Sequence, residues 1–527
     1  MGTTVSIYSD SVRHCLTKTL ELFNLRTMRL FMILLVLAGA TTLAPAETNS
    51  TQEIRKMSLD DCIQAALERN LDLRIARLTV PEALADLQGA YGGWDPTFTA
   101  SGEHDFNLRG GGYNSSSSSF TAATSTDQNT VSSSLSGNTP WGLNYSLQGN
   151  VSEQYGSIGG SPFDSSSGSA SIKMTQHLLK DFWIDSTRLN IRVYKNRLKY
   201  TELGLKQTVM NTASTVEQAY YDLIAARENV IAQEKALELA NRLVVENKKR
   251  VEVGALAPLE EKQAESQAAT SEADLIAARA TLDTQENSFK HLLTDDYTGW
   301  AKVSILPTAS LEAPRRFFDR QLSWSKGLDQ RPDLRQSRLD LERQGITLKY
   351  NYNQLFPQLD LVGSYGHGAS GSTTREFSDA LYQIENGSRP FYSYGAQLVF
   401  PLANISARAT YRKSKFELEG LKLMLKNLEQ KIMVTIDNDI RQAESGYERV
   451  GATRAAREYA TDALDAEQKK LESGKSTTYT VLQMQRDLTA ARGAEIQALA
   501  TYNKALAQLS LDEATILQRL GVNIDVK

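Results

Sequence analysis

Residues 209–254 read VMNTASTVEQAYYDLIAARENVIAQEKALELANRLVVENKKRVEVG. Val209, Val216, Leu223, Val230, Leu237, Val244 and Val251 fall seven apart, and Ala219, Ala226 and Ala240 add a parallel seam of small residues. Sustained heptads mean helices packed along their length, not a globular core helix. Extended back to Arg188, the stretch 188–253 makes one helix of roughly 100 Å. The segments 57–93 and 258–292 read as shorter helices which, laid end to end, match the long one. The expectation is a long helix flanked by two stacked short ones, with Gly254 in the far turn and Pro258 opening the returning helix.

This unit occurs twice. Asn70-Leu71-Asp72-Leu73-Arg74 aligns with Arg331-Pro332-Asp333-Leu334-Arg335 at an offset of 261, which also carries Pro96 onto Pro357. A second offset, 220, carries Val216 onto Ile436, Gly254 onto Gly474, Gln263 onto Gln483 and Phe289 onto Leu509. The difference of 41 is the net extra length of the first copy, so the chain reads as a tandem repeat with an insertion. The second seam, through Ile436, Ala443, Val450, Leu464 and Leu471, is interrupted by Arg457, read as a snorkelling side chain.

Each copy also carries alternating segments. Trp141, Leu143, Tyr145, Leu147 and Val151 alternate with polar or small residues, as do Leu359, Leu361 and Tyr365, and Tyr392, Tyr394, Ala396, Leu398 and Phe400. Period two with aromatic ends fits a barrel wall, lipid outside and water inside. Residues 101–171 hold 20 Ser, 11 Gly and no Lys in 71 positions, an outward-facing insertion with two further strand-like runs at 130–137 and 141–152. Whether that hairpin joins the wall or stands above it stays open. With one strand pair per copy, four wall strands cannot close a barrel alone, since outer-membrane barrels need at least about eight. Oligomerisation is expected.

Composition narrows the function. Across 527 residues the net charge is −4, and no strong basic run argues for nucleic acid. A mean hydropathy of −0.37 excludes a polytopic helical membrane protein but not a barrel. The five histidines lack a second His or Cys at ligand spacing, so neither a metal nor another cofactor is expected, and no catalytic constellation stands out. Gly366-His367-Gly368-Ala369-Ser370-Gly371 matches G-x-G-x-x-G formally, but no apolar-periodic helix follows it, and a turn is expected there. Near the N-terminus, Met28-Arg29 precedes an apolar run to Ala38 and Ala44-Pro45-Ala46 ends it, which reads as an export signal over 1–46. Met28 is the expected true start and Glu47 the expected mature terminus. Ala40 stands where a lipoprotein would need Cys. Removal of Cys15 leaves Cys62 unpaired.

Taken together, the repeat, Arg331-Pro332-Asp333-Leu334, the junctions Gln176-His177-Leu178-Leu179 and Phe400-Pro401-Leu402, and the glycine turns followed by Gln263 and Gln483 resemble the TolC-type outer-membrane efflux proteins. The resemblance covers essentially the whole mature chain. It implies a mixed α/β membrane protein in which three protomers share a 12-stranded outer-membrane β-barrel continued by a periplasmic α-helical barrel. It further implies a homotrimer held in outer-membrane lipid, acting as a passive, non-enzymatic conduit. Its partners would be a periplasmic adaptor protein and an inner-membrane pump, for efflux or secretion. The domain reading that follows is signal 1–46, repeat one 47–292, an equatorial linker 293–325, repeat two 326–514 and a tail 515–527.

By the same resemblance, the periplasmic constriction falls on Glu260, Ser476, Thr480 and Gln483, and the adaptor-docking tips on Val253, Gly254 and Ala255 and on Gly474 and Lys475. The family's constriction is acidic six residues after each turn glycine and nine after the second. Only Glu260 keeps that charge here; Thr480 and Gln483 do not, and Ser476 replaces the basic latch. The competing expectation is a barrel-anchored coiled-coil stalk with a structural or adhesive role.

Overall fold

The computed structural model describes residues 53–370 and 376–522; the export signal lies outside them. The described residues from Ile54 onward fold as one unit. In chain order it runs β1 (Glu53–Met57), α1 (Leu59–Arg69), α2 (Leu71–Tyr91), β2 (Thr97–Arg109), the short strands β3 (Gly112–Asn114) and β4 (Ser119–Thr121), β5 (Thr124–Asn138), β6 (Leu143–Ile158), β7 (Ser161–His177), α3 (Ser186–Glu252) and α4 (Pro258–Leu293). There follow α5 (Tyr297–Trp300), β8 (Val303–Pro307), α6 (Arg320–Gln330), α7 (Pro332–Asn353), β9 (Gln358–Ala369), α8 (Phe377–Glu385), β10 (Pro390–Val399), α9 (Ile405–Glu472), α10 (Thr478–Asp512) and α11 (Ile516–Arg519).

The segment expected as one helix over 57–93 is broken at Asn70. Asn70 caps α2 by accepting from Leu73 N at 3.0 Å, and its amide donates to the Leu292 carbonyl at 3.1 Å. A side chain that satisfies the new N-terminus stabilises the break. Its repeat mate Arg331 breaks the second copy, with Pro332 in the first turn of α7. Leu73 and Leu334, three residues after the break in each copy, are both fully buried. Leu73 packs with Val209, Met210 and Ala213 of α3, and Leu334 with Ile432, Ile436 and Ile440 of α9. The aligned motif is therefore a pivot that seats a short helix on the long one.

The long helices have 67 and 68 residues. Asp185 caps α3, accepting from Arg188 N at 2.7 Å. Both helices end at a glycine of positive φ, Gly254 at +76° and Gly474 at +72°, a conformation in which a side chain would be strained. Along α3 the seam drifts. Val209, Val216, Leu223 and Val230 are buried as expected, whereas further on Ala232, Ala240, Leu243 and Asn247 carry the buried stripe. Arg457 does not simply snorkel: its guanidinium lies 2.7 Å from the Glu495 carboxylate of α10.

At mid-length α1, α3, α4, α5 and β8 meet in one core of Cys62, Ile63, Val216, Tyr220, Leu223, Phe289, Trp300 and Ile305, beside the β1–β8 pair. Residues 293–325, expected as a linker, thus hold ordered elements. No helix among the described residues is long and apolar enough to cross a membrane.

The main sheet has six strands, not four, in the order β10-β9-β7-β6-β5-β2. The inserted hairpin, β5 and β6, lies between β2 and β7 and pairs antiparallel with both. Sequence alone left it unplaced because turn chemistry and alternation fix a hairpin but not its neighbours. The G-x-G-x-x-G look-alike is strand rather than turn as far as Ala369.

Candidate functional site

Register carries the chemistry of the sheet. Phe98, Leu135, Leu147, Ile172, Tyr365 and Tyr392 lie opposite one another in succession, one residue from each of the six strands. The row of Gly137, Tyr145, Met174, Gly363 and Tyr394 lies beside it, and Gly102, Val131, Val151, Gly168 and Ala369 form a further row on the same face. The opposite face holds Thr99, Ser134, Gln148 and Ser171 in one row and Ser101, Ser132, Asn150 and Ser169 in another. An apolar row across all six strands on one face, with polar rows across β2, β5, β6 and β7 on the other, is what a wall between lipid and water requires.

At the helix-proximal rim a polar relay crosses three strands. Asn144 Nδ2 donates to His177 Nε2 at 3.1 Å, His177 Nδ1 donates to Asp360 Oδ1 at 2.7 Å, and Gln358 Nε2 donates to Asp360 Oδ2 at 2.7 Å. The β5–β6 turn is held to the end of β7 and the start of α3: Gln176 Nε2 of β7 donates to the Gly142 carbonyl at 3.4 Å, and a Cβ at Gly142 would meet the Arg188 guanidinium of α3. Trp141 in that turn is 65% exposed, as suits an aromatic at a membrane interface.

At the other end, the two helical hairpins touch through their tips. Glu260 sits in the first turn of α4, where a carboxylate complements the helix dipole. It accepts from Thr478 Oγ1 at 2.6 Å, while Asn247 Nδ2 donates to the Glu260 carbonyl at 3.3 Å. Ser476 donates to Glu467 of its own hairpin, and with Lys470 it holds that carboxyl below the usual range. Thr480 packs at the cap made by Thr477, whose hydroxyl accepts from Thr480 N at 3.4 Å, and Gln483 Nε2 donates to Asp487 at 3.1 Å. Val253, Gly254, Ala255, Gly474 and Lys475 are all exposed at the two turns. So Glu260 is brought to Thr478, and not to Ser476, Thr480 or Gln483. Thr478 and Asn247 escaped the sequence reading because their role depends on two hairpins far apart in sequence becoming neighbours.

A third cluster, also missed, lies at the waist of the second copy. Arg331 donates to Asp512 Oδ1 at 2.7 Å and to Asp333 Oδ2 at 2.7 Å. Asp439 beside them is 8% exposed; burial first, then its hydrogen bond with Asp512 and that group's charge, push its carboxyl up to about 7. The signal was the Arg331-Pro332-Asp333 motif itself, but its partners come from α9 and α10. Among the described residues no group of three or more His, Cys, Asp or Glu is placed to hold a metal ion.

A two-faced partial wall joined to two long helical hairpins defines a protomer of an outer-membrane channel that continues into the periplasm. The chain belongs to the outer membrane efflux protein family, whose model matches residues 141–294 and again 324–511, once in each copy. It is 24% identical over 352 residues to the outer membrane efflux protein BepC of Brucella suis, spanning 66% of this chain and 72% of that one. It is 25% identical over 329 residues to the pyoverdine export outer membrane protein OpmQ of Pseudomonas aeruginosa, spanning 60% and 64%. The fold matches the outer-membrane channel OprN (TM-score 0.65, 16% identity, 87% of this chain and 90% of that one). It also matches the Campylobacter jejuni CmeC channel (TM-score 0.63, 15% identity, 89% and 90%). The protein is an outer-membrane efflux channel of the trimeric type, its strands contributing to a shared β-barrel and its long helices to a periplasmic helical barrel.

Proposed function

We propose that the channel is a passive, non-enzymatic conduit whose helical tips dock a periplasmic adaptor serving an inner-membrane pump. The observation that carries this reading is the pair of exposed, glycine-closed tips at the far end of two helices as long as the periplasmic column requires. Val253-Gly254-Ala255 and Gly474-Lys475 are the docking turns. Glu260, Ser476, Thr480 and Gln483 line the constriction, held by the Glu260–Thr478 contact between hairpins. Cargo is driven by the pump, and the channel supplies a water-lined path. Single-channel recording of the purified protein in a planar bilayer tests it. Thr478→Val, which removes the donor to Glu260, should raise the open-state conductance above wild type; no current from either protein would favour a sealed stalk instead.

A further inference from the structure

The geometry points to an exit barrel of 18 strands, six from each of three copies, with the β5–β6 hairpin built into the transmembrane wall. This rests on the trimeric channel reading. Three observations on this chain carry the hairpin itself into the wall.

First, the hairpin is inside the sheet, not on its edge: β6 pairs with β7 from Leu143 through Ile158, and β5 with β2 from Thr124 through Ser136. Removing it would leave β2 and β7, the two flanking strands, to pair directly. Second, its strands of 15 and 16 residues exceed the 9–11 or so that a tilted strand needs to cross a bilayer. Third, its side chains keep phase with the other four strands. Leu135 and Leu147 complete the apolar row from Phe98 to Tyr392, and Ser134 and Gln148 complete the polar row from Thr99 to Ser171. A hairpin standing clear of the membrane would have no reason to carry lipid-facing residues at the same height. Its inner turn also meets the start of α3, Gly142 lying beside Arg188, and Asn144, the second residue of β6, joins the His177–Asp360 relay.

Six strands cannot close alone, and the edge strands β2 and β10 have no second partner among the described residues. The partner that fits is another copy of this chain, β2 of one meeting β10 of the next edge to edge, with their apolar faces continuous. Because barrel diameter grows roughly linearly with strand number, the mouth would be about one and a half times as wide as a wall of four strands per copy.

Paired cysteines on the polar face test the placement. Gln148 and Ser171 are register partners, whereas Thr99 and Ser171 stand three strands apart, about 14 Å. Buried Cys62 does not interfere. In outer membranes, a short bifunctional thiol-alkylating reagent should link the two thiols of Gln148→Cys/Ser171→Cys and leave Thr99→Cys/Ser171→Cys unlinked. The reverse pattern would put β2 directly against β7 and overturn the proposal. Electron microscopy of the protein in nanodiscs gives the count: 18 strands are expected. Twelve strands with the hairpin outside would overturn the wall placement, while six per chain in a ring of other than three copies would overturn the count through the trimer rather than the hairpin.

Discussion

The two copies share a skeleton and differ at both ends. In the middle they are alike: a short helix pivots at Asn70 or Arg331, buries Leu73 or Leu334, and lies on a helix of 67 or 68 residues that ends at a positive-φ glycine. Toward the outer end, copy one threads two extra strands into the sheet, whereas copy two places the nine-residue α8 in its loop. Toward the tip, copy one keeps Glu260 where copy two has Thr480. Positions that set helix packing tolerate little, because every turn of a lengthwise interface depends on its neighbours. Loop ends and tips are free to diverge, and there the channel's own character resides.

The pivots themselves do the same job with different chemistry, and that contrast predicts the largest effect. Asn70 satisfies a helix end through neutral hydrogen bonds. Arg331 instead neutralises Asp512 and Asp333, with Asp439 alongside. Arg331→Ala leaves partly buried carboxylates uncompensated and should cost about 3–5 kcal/mol, against about 1–2 kcal/mol for Asn70→Ala. Urea unfolding of detergent-extracted protein at fixed concentration measures both. Equal losses would mean that the charge cluster adds nothing to a simple cap.

Leu73→Ala and Leu334→Ala sharpen the likeness rather than the contrast. Each removes a fully buried side chain from an equivalent interface, so each should cost about 2–5 kcal/mol, and the two should agree closely. A large inequality in the same unfolding experiment would show that the copies are packed to different tolerances despite matching geometry.

The sequence made this skeleton legible because its determinants are local or periodic: the heptad, the turn glycines and the offset of 261 need no knowledge of neighbours. The breaks at Asn70 and Arg331 lay inside a motif that was aligned but read as continuous helix, since an Asn within an apolar period does not by itself announce a cap. The position of the hairpin depended on which strands it meets, and the Glu260–Thr478 and Asp439–Asp512 contacts on residues brought together from separate helices. Pairwise contacts of that kind leave no pattern along a single chain.

The waist cluster also gives copy two a pH-sensitive carboxyl. The carboxyl of Asp439, at about 7 when folded against 3.8 in its ordinary state, binds its proton more tightly in the native chain. Stability from this group is therefore fully present below the lower value and is lost as pH rises through the higher one. Between pH 5 and pH 8 the unfolding midpoint should fall in wild type, and Asp439→Asn should flatten that part of the slope. A wild-type midpoint that rises over the same interval, with the variant unchanged, would place the proton elsewhere.

The tip gives the smallest expected effect and the most direct comparison of the copies. With three-fold symmetry Glu260 supplies three carboxylates, each accepting from Thr478, and position 480 contributes none. Thr480→Asp should fold without penalty, because position 480 is three residues after the capping Thr477, where a carboxylate can close a capping box. It would double the number of carboxylates in the proposed constriction from three to six. Clustered negative charge in a narrow, weakly screened mouth attracts cations and binds multivalent ones. Wild-type channels should accordingly show weak cation selectivity and little block by a trivalent complex added on the periplasmic side, with both rising in Thr480→Asp and falling back at high salt. Reversal potentials under a salt gradient and block titrations read this directly. Strong trivalent block of the wild type that Thr480→Asp leaves unaltered would locate the constriction away from the start of α10, and the second copy's departure at 480 would then have no bearing on the gate.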